Sequence, residues 1–502
     1  MSDIRVEKID EACVRVLSDD FGLLQEINEK FKFLVPGHQW MPKFKSGIWD
    51  GYLSLFNIRN RTLPYGLLKE LCVFCDARKY EVQIDSSILD KPVKTPSPEV
   101  LEKFIASLSL SGSKGEKIEP HDYQIEGVIH ALSNYRSILQ SPTASGKSLM
   151  IYLSCRYFME QSDQKILIVV PTTSLVSQMY GDFDDYSKND DSFLVDESTV
   201  HTIMGGREKN SDAPITVSTW QSIYKQPRSW FAKFGMIIGD ECHQYKAACL
   251  SSIMEKLSNA WIRIGTTGTI PDNSPVGKLQ LQGHFGPIYQ VTTTKKLMDR
   301  DAIAQLKIKN LVLKYPEDIC KYSKKLDYKQ EIDFLCGHKR RNAFIRNLAL
   351  DLKGNTLVMF NFVEKHGKPL YEDISSHAAE DRKIFYVAGS VETEEREDIR
   401  RIVENEKNAI IVASSGVFAQ GVNIKNLHNI IFAAPVKSQI RVLQSIGRGL
   451  RKSENGRGTT LYDIIDDLSY RKHKNFALRH GIERAKIYRK EQFSLKTHMI
   501  SL

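Results

Sequence analysis

The stretch "SPTASGKS" (141–148) ends in Gly146-Lys147-Ser148, residue types that suit a polyphosphate. Backbone N–H groups at a helix start bind anions, a lysine reaches the β- and γ-phosphates, and a serine hydroxyl ligates a divalent cation. The leading glycine of the general phosphate-loop pattern is absent, so the tetrapeptide alone is a weak match. A second pattern, "IIGDECH" (237–243), ends an apolar run on two carboxylates. At the carboxyl edge of a parallel sheet, Asp240 can hold Mg²⁺ through its water shell. Glu241 can accept a proton from an attacking water. Each pattern singly also fits a turn or a solvated strand end; in this order they point to nucleotide hydrolysis. A third, "QSIGRGLR" (444–451), places Arg448 and Arg451 on one helix face. Charge developing on a γ-phosphate needs such cations, often supplied by another domain.

Chemistry at these three places requires elements that position it. Apolar runs occur at 137–140, 165–170, 214–219, 235–241 and 261–267, alternating with helical stretches. A second series follows at 355–362, 383–389, 408–414, 429–435 and 459–465. Such runs suit strands buried on both faces, and strand–helix alternation implies parallel sheets with right-handed crossovers. The expected fold class is α/β, with two tandem parallel-sheet domains over 120–291 and 317–467. A connection over 292–316, needing no strand, separates them. Segments rich in Pro, Ser, Gly and Lys make 91–119 a linker behind a small α+β module at 1–90. Residues 468–502 read as a basic helical extension.

The three motifs in sequence resemble the superfamily 2 helicases of the DExH kind. Their phosphate loop begins with Pro-Thr and does not require the leading glycine. The resemblance spans roughly 120–467 and implies two RecA-like motor domains that use ATP and Mg²⁺. It implies catalytic roles for Lys147, Asp240, Glu241, Gln444, Arg448 and Arg451, with Ser148 and Asp240 on the metal. Thr143, Ala144, Ser145, Gly146, Lys147 and Ser148 form the cradle. "HDYQ" (121–124) is similar to the adenine-recognition motif, with Gln124 reading the base edge and Tyr123 nearby. "TTGT" (266–269) resembles the coupling motif, with Thr267 and Thr269, and His243 is expected to relay between the nucleotide site and Gln444. "PTTSLVSQM" (171–179) and "TVSTWQS" (216–222) are similar to backbone-gripping segments. With neighbouring turns these give Thr172, Gln178, Gly205, Gly206, Thr219 and Gln221 as nucleic-acid contacts. "VASSGVFAQGVNIKNL" (412–427) resembles the second-domain segment touching both strand and nucleotide, with Ser414, Ser415 and Gly421.

Within the superfamily, "APITVSTWQSIYKQP" and "GVFAQGVNIKNLHNIIFAAPVKS" are similar to phage helicases that remodel forks. The implied activity is an ATP-dependent DNA helicase or translocase acting on forks, Holliday junctions, D-loops or R-loops in recombination, repair and replication restart. The implied partners are branched DNA, RNA–DNA hybrids and single-stranded-DNA-binding or recombination proteins. An RNA helicase, a duplex translocase and a nucleotide-gated DNA clamp are the alternatives.

Charge is uneven. Nine Lys/Arg stand against two Asp/Glu from Ser469 to Leu502, and nine against three from Lys30 to Tyr80, which suits polyanion contact at both ends. In the first region Lys43, Lys45, Arg59 and Arg61 interleave with Trp40, Phe44, Trp49, Tyr52 and Tyr65. The cations suit phosphates; the aromatics suit either base stacking or a small core. The basic stretch 470–493 suits either DNA contact or packing. Cys72 and Cys75 form a lone C-x-x-C without a second ligand pair, which favours a buried strand pair over zinc. Scattered cysteines, no apolar run of roughly 18 residues, and a mixed-charge start exclude a disulfide scaffold, a membrane span and a secretory signal. The expected location is intracellular and cytoplasmic, the host cytoplasm if phage-encoded.

Overall fold

Strands without a polar face must be covered on both sides, and the chain pairs them accordingly. The computed structural model describes residues 2–89, 96–142, 144–245, 247–268, 270, 275–300, 306–388, 402–403, 405–415, 427–434 and 458–502. Two units form, one from Met1–Ser141 and Ser145–Thr292, the other from Pro142–Ala144 and Thr293–Leu502.

The first unit holds an N-terminal module of strands β1 (Ile4–Lys8), β2 (Cys13–Leu17), β3 (Lys32–Leu34), β4 (Tyr52–Ser54), β5 (Thr62–Pro64) and β6 (Val82–Ile84). Four make a sheet in the order β5-β2-β1-β6, and β3 pairs with β4. Alternation in β1 and β2 turns Ile4, Val6, Val14 and Val16 onto Leu24, Ile27, Phe31 and Phe56. Of the aromatics weighed between core and surface, Tyr65 packs against the module's core, whereas Trp40 and Tyr52 are exposed.

Behind the module, the same unit carries β7 (Arg136–Gln140), β8 (Lys165–Val170), β9 (Val200–Ile203), β10 (Ile215–Thr219), β11 (Phe234–Gly239), β12 (Ile262–Thr267) and β13 (Ile288–Gln290). They form one parallel sheet in the order β13-β7-β12-β11-β8-β10-β9. Crossovers therefore bring the ends of β7, β12 and β11 side by side, although 95 residues separate the phosphate loop from the acidic turn (146 to 241).

The second unit has β14 (Leu306–Lys314), β15 (Thr356–Phe360), β16 (Ile384–Val387), β17 (Ile410–Ser414), β18 (Asn429–Phe432), β19 (Thr459–Asp467) and β20 (Ser494–Ser501). Its sheet is again parallel, in the order β16-β17-β15-β18-β19-β14-β20. Asp463 and Asp466 on β19 are fully buried, as are their partners Arg484 and Arg341. Arg484 Nη2 lies 2.7 Å from Asp463 Oδ1, and Arg341 Nε lies 2.7 Å from Asp466 Oδ1.

Four expectations are corrected. Residues 292–316 are not strand-free: β14 lies inside the second sheet, its lysines masking the apolar pattern in "LKIKNLVLK". Residues 91–119 contain the helix Pro98–Ser107, capped by Ser97, with Pro98 at its first turn and Leu101 and Ile105 buried. Residues 468–502 are more than a helical extension. Helix Phe476–Lys490 buries Ala477, Arg484 and Tyr488, and β20 then joins the sheet beside β14. Cys72 and Cys75 stand on helix Leu68–Ala77, where Leu71 and Cys75 share the buried face one turn apart.

Candidate active site

Strand β7 runs directly into the phosphate loop, and helix Lys147–Gln161 begins from Gly146 in the left-handed region (φ 76°). A Cβ at Gly146 would displace the Gln124 amide, and the left-handed backbone is what favours glycine there. Ala144 also has positive φ (64°), a strained turn of the kind found where a backbone wraps an anion. Gln124 Nε2 donates to the Ser145 carbonyl at 2.9 Å and the Tyr123 hydroxyl donates to it at 3.2 Å. Gln124 Oε1 accepts from the His121 N–H, capping helix Asp122–Asn134. The side chains expected at the adenine thus brace the phosphate loop. Ser141 and Ser145 are buried and hydroxyl-bonded at 2.6 Å.

Lys147 Nζ sits 3.4 Å from the Ser141 carbonyl and 3.5 Å from Glu241 Oε1. Glu241 itself occupies the left-handed region (φ 46°), which turns its carboxylate back toward the lysine. Asp240 Oδ1 accepts a 2.6 Å hydrogen bond from Thr266 on the neighbouring β12. His243 Nδ1 lies 2.6 Å from the Thr267 hydroxyl and 3.5 Å from Glu241 Oε2. Burial, then the Glu241 charge, pushes the Asp240 carboxyl up. Burial opposes ionisation of Glu241 too, but Lys147 and then His243 hold its carboxyl below the ordinary range. Burial lowers His243, against the opposing pull of Glu241. Tyr245, whose phenol lies 2.5 Å from the Val169 carbonyl and 2.6 Å from that of Asp240, ties the acidic turn to β8.

Ser148 and Asp240 offer hard oxygen donors, the set that Mg²⁺ takes, and the Asp240 carboxylate is fixed by Thr266. Bound there, Mg²⁺ would neutralise phosphate charge. The chain itself offers a carboxylate at Glu241 able to accept a proton and an ammonium at Lys147 able to pair with anionic oxygens.

Three adjacent strands carry the expected first-domain nucleic-acid residues at their carboxyl ends. Thr172 follows β8 and caps helix Thr173–Ser187, leaving Gln178 exposed. Gly205 and Gly206 follow β9 and are exposed. Gln221 follows β10 and donates to the Pro171 carbonyl at 3.3 Å. Gly205, Gly206 and Gln221 line an open groove of about 530 Å³ with Arg207 and Lys209. Thr219 is buried and bonded to Ser222, so it shapes this edge from beneath. In the second unit Ser414 and Ser415 are buried at the end of β17, and Ser415 donates to the Phe360 carbonyl. Thr143, Thr269, Gly421, Gln444, Arg448 and Arg451 lie outside the described residues.

Family models match three stretches: the type III restriction enzyme res subunit at 117–272, the helicase conserved C-terminal domain at 339–453, and the DNA helicase UvsW N-terminal domain at 3–85. The "ATP-dependent DNA helicase uvsW" of Enterobacteria phage T4 is 38% identical over the whole of both chains. The chain belongs to the UvsW family of ATP-dependent DNA helicases. The solved T4 UvsW structure superposes on it with TM-score 0.53 and 36% identity, covering 99% of each chain. A DNA 3'-5' translocase of Sulfurisphaera tokodaii is 29% identical over 76% of this chain and 86% of its own.

The UvsW N-terminal domain match covers the module whose cations are named above. Lys43 and Lys45 are exposed on the short helix Pro42–Lys45, and Arg59 and Arg61 are exposed between β4 and β5. Lys45 Nζ stands 5.6 Å from the ring of Trp40, which is 73% exposed. Sequence reasoning missed Thr266, quoted within "TTGT" but given no role, and Tyr245, two residues beyond "DECH". It also missed Tyr186, whose hydroxyl lies 3.3 Å from that of Ser148. No described helix is long and apolar enough to cross a membrane.

Proposed function

We propose that this UvsW-family helicase remodels branched DNA, coupling hydrolysis of Mg²⁺-bound ATP to movement along a strand in the host cytoplasm. The observation that carries the reading is the convergence in one unit of Lys147, Glu241 and Asp240 with the groove at the ends of β9 and β10. Glu241 is the base, Lys147 the phosphate ligand, Ser148 and Asp240 the metal ligands, and Arg448 and Arg451 the transition-state cations. Groove residues Gly205, Gly206 and Gln221, with Thr172 and Gln178 beside them, grip the backbone without reading sequence, as a translocating motor requires. Exposed Lys43, Lys45, Arg59 and Arg61 beside a solvent-facing Trp40 suit phosphates and an unpaired base at a branch point. An R-loop presents such a branch point beside its RNA–DNA hybrid. Recombination and single-stranded-DNA-binding proteins act on the same intermediates, which makes them the expected protein partners.

The test compares ATP hydrolysis and strand separation on forked DNA, four-way junctions, linear duplex and RNA, for wild type and Glu241→Gln. Forks and junctions should stimulate wild type most, and the variant should not turn over. Preference for linear duplex would favour a translocase, and stimulation by RNA alone would defeat the DNA reading.

A further inference from the structure

Strand β7 carries the phosphate loop at one end and Arg136 at the other. The Arg136 side chain is buried beside Arg263, its partner in the β7–β12 register. Two like charges removed from water each need compensation. Arg263 finds it within the motor sheet's own connections, donating to the carbonyls of Ala260, Met254 and Leu257. Arg136 finds it in the N-terminal module. Its Nη2 donates to both the backbone carbonyl (2.8 Å) and the carboxylate (2.6 Å) of Glu11, and its guanidinium lies 4.0 Å from the centre of the Tyr65 ring.

Other contacts fix the same face. Arg228 pairs with Asp10 at 2.6 Å and the Glu11 N–H donates to the Ser258 carbonyl at 3.0 Å, while Lys8, within the module, pairs with Glu11 at 2.6 Å. Gly66 lies so close to the end of helix Pro275–Phe285 that a Cβ would run into the Gln282 carbonyl oxygen. Backbone stands against backbone there, with a buried ion pair beside it.

We propose that Glu11 and Arg136 are positioning residues that lock the N-terminal module to the base of the phosphate-loop strand. The module's DNA-contacting side then moves as one body with the ATP-binding domain, and turnover becomes displacement of the branch. This rests on the reading that the module touches branched DNA.

The test uses the full chain with Glu11→Gln, which removes the charge at constant shape, and Gly66→Ala, which pushes the same face apart by an independent route. Base pairs separated per ATP are measured on forked DNA, with amide exchange around Glu11 and Arg136. Both variants should keep DNA-stimulated hydrolysis, exchange faster at the joint, and separate about 2- to 30-fold fewer base pairs per ATP. Wild-type yield per ATP in both variants would overturn the inference, as would unchanged exchange at the joint in Glu11→Gln. A wild-type protein that responds to no DNA would instead defeat the functional reading beneath it.

Discussion

Thr266 donates its hydroxyl hydrogen to Asp240 Oδ1 across adjacent strands, fixing the carboxylate that faces the phosphate loop. Groups that orient a metal ligand matter nearly as much as the ligand. Thr266→Ala should lower hydrolysis about 10- to 100-fold and raise the Mg²⁺ requirement, while Thr266→Ser should restore both. Magnesium titrations of the steady-state rate check this.

Lys147 and Glu241 should separate binding from chemistry. Glu241→Gln should lower turnover by about 100-fold or more with nucleotide still bound, because a positioned base contributes on that order. Lys147→Ala should weaken nucleotide binding itself. Fluorescent-nucleotide titration beside single-turnover hydrolysis distinguishes the two.

Acid should destabilise both units. Burial pushes His284 in the first unit and His366 in the second from the ordinary 6.5 down to about 3. Between those values the unfolded chain binds more protons than the folded one, so stability rises with pH up to about 6.5 and falls on acidification below it. Each histidine contributes up to about 1.4 kcal/mol per pH unit in that window. Melting temperatures from pH 7 to 5 should fall, and less steeply in His284→Gln and His366→Gln.

Asp463→Asn should cost the second unit about 3–5 kcal/mol, because it strands the buried Arg484 charge. Denaturant unfolding followed by circular dichroism measures the loss.

Lys43→Ala with Lys45→Ala should weaken binding to forked DNA evenly across sequences and reduce the salt slope by about 2, roughly one per phosphate contact. Basal hydrolysis should be unchanged. Fluorescence anisotropy over a salt series reads both quantities.

The nucleotide site was legible because its chemistry demands particular residue types at short fixed spacings: Gly146-Lys147-Ser148 and Asp240-Glu241 are each contiguous. Relationships across strands were not. Thr266 meets Asp240 only through the β11–β12 pairing, and Glu11 meets Arg136 across 125 positions of sequence. Composition misled where one residue type serves two purposes. Pro98 reads as a linker residue and in fact opens a helix, and the lysines of β14 hide a strand in which Leu306, Ile308 and all of Asn310, Leu311, Val312 and Leu313 are buried. Gln124 shows the limit of motif reading: both ends of its amide are engaged by backbone of the His121 cap and the phosphate loop.

The position of β14 between β19 and β20 has a consequence for synthesis. Leu306 pairs with Thr459 and Lys307 with Ser494, so both neighbours of this strand lie far downstream. At about 5–20 residues per second, the β19 partner emerges roughly 8–30 s after β14 itself. Throughout that interval "LKIKNLVLK" presents two open edges on the ribosome, the situation that invites pairing with other nascent chains. Lys307 and Lys309 near one end of the strand and Lys314 at the other flank its apolar stretch, and charge of one sign is what discourages such intermolecular pairing. The lysines that obscure β14 as a core strand are thus its protection while it waits.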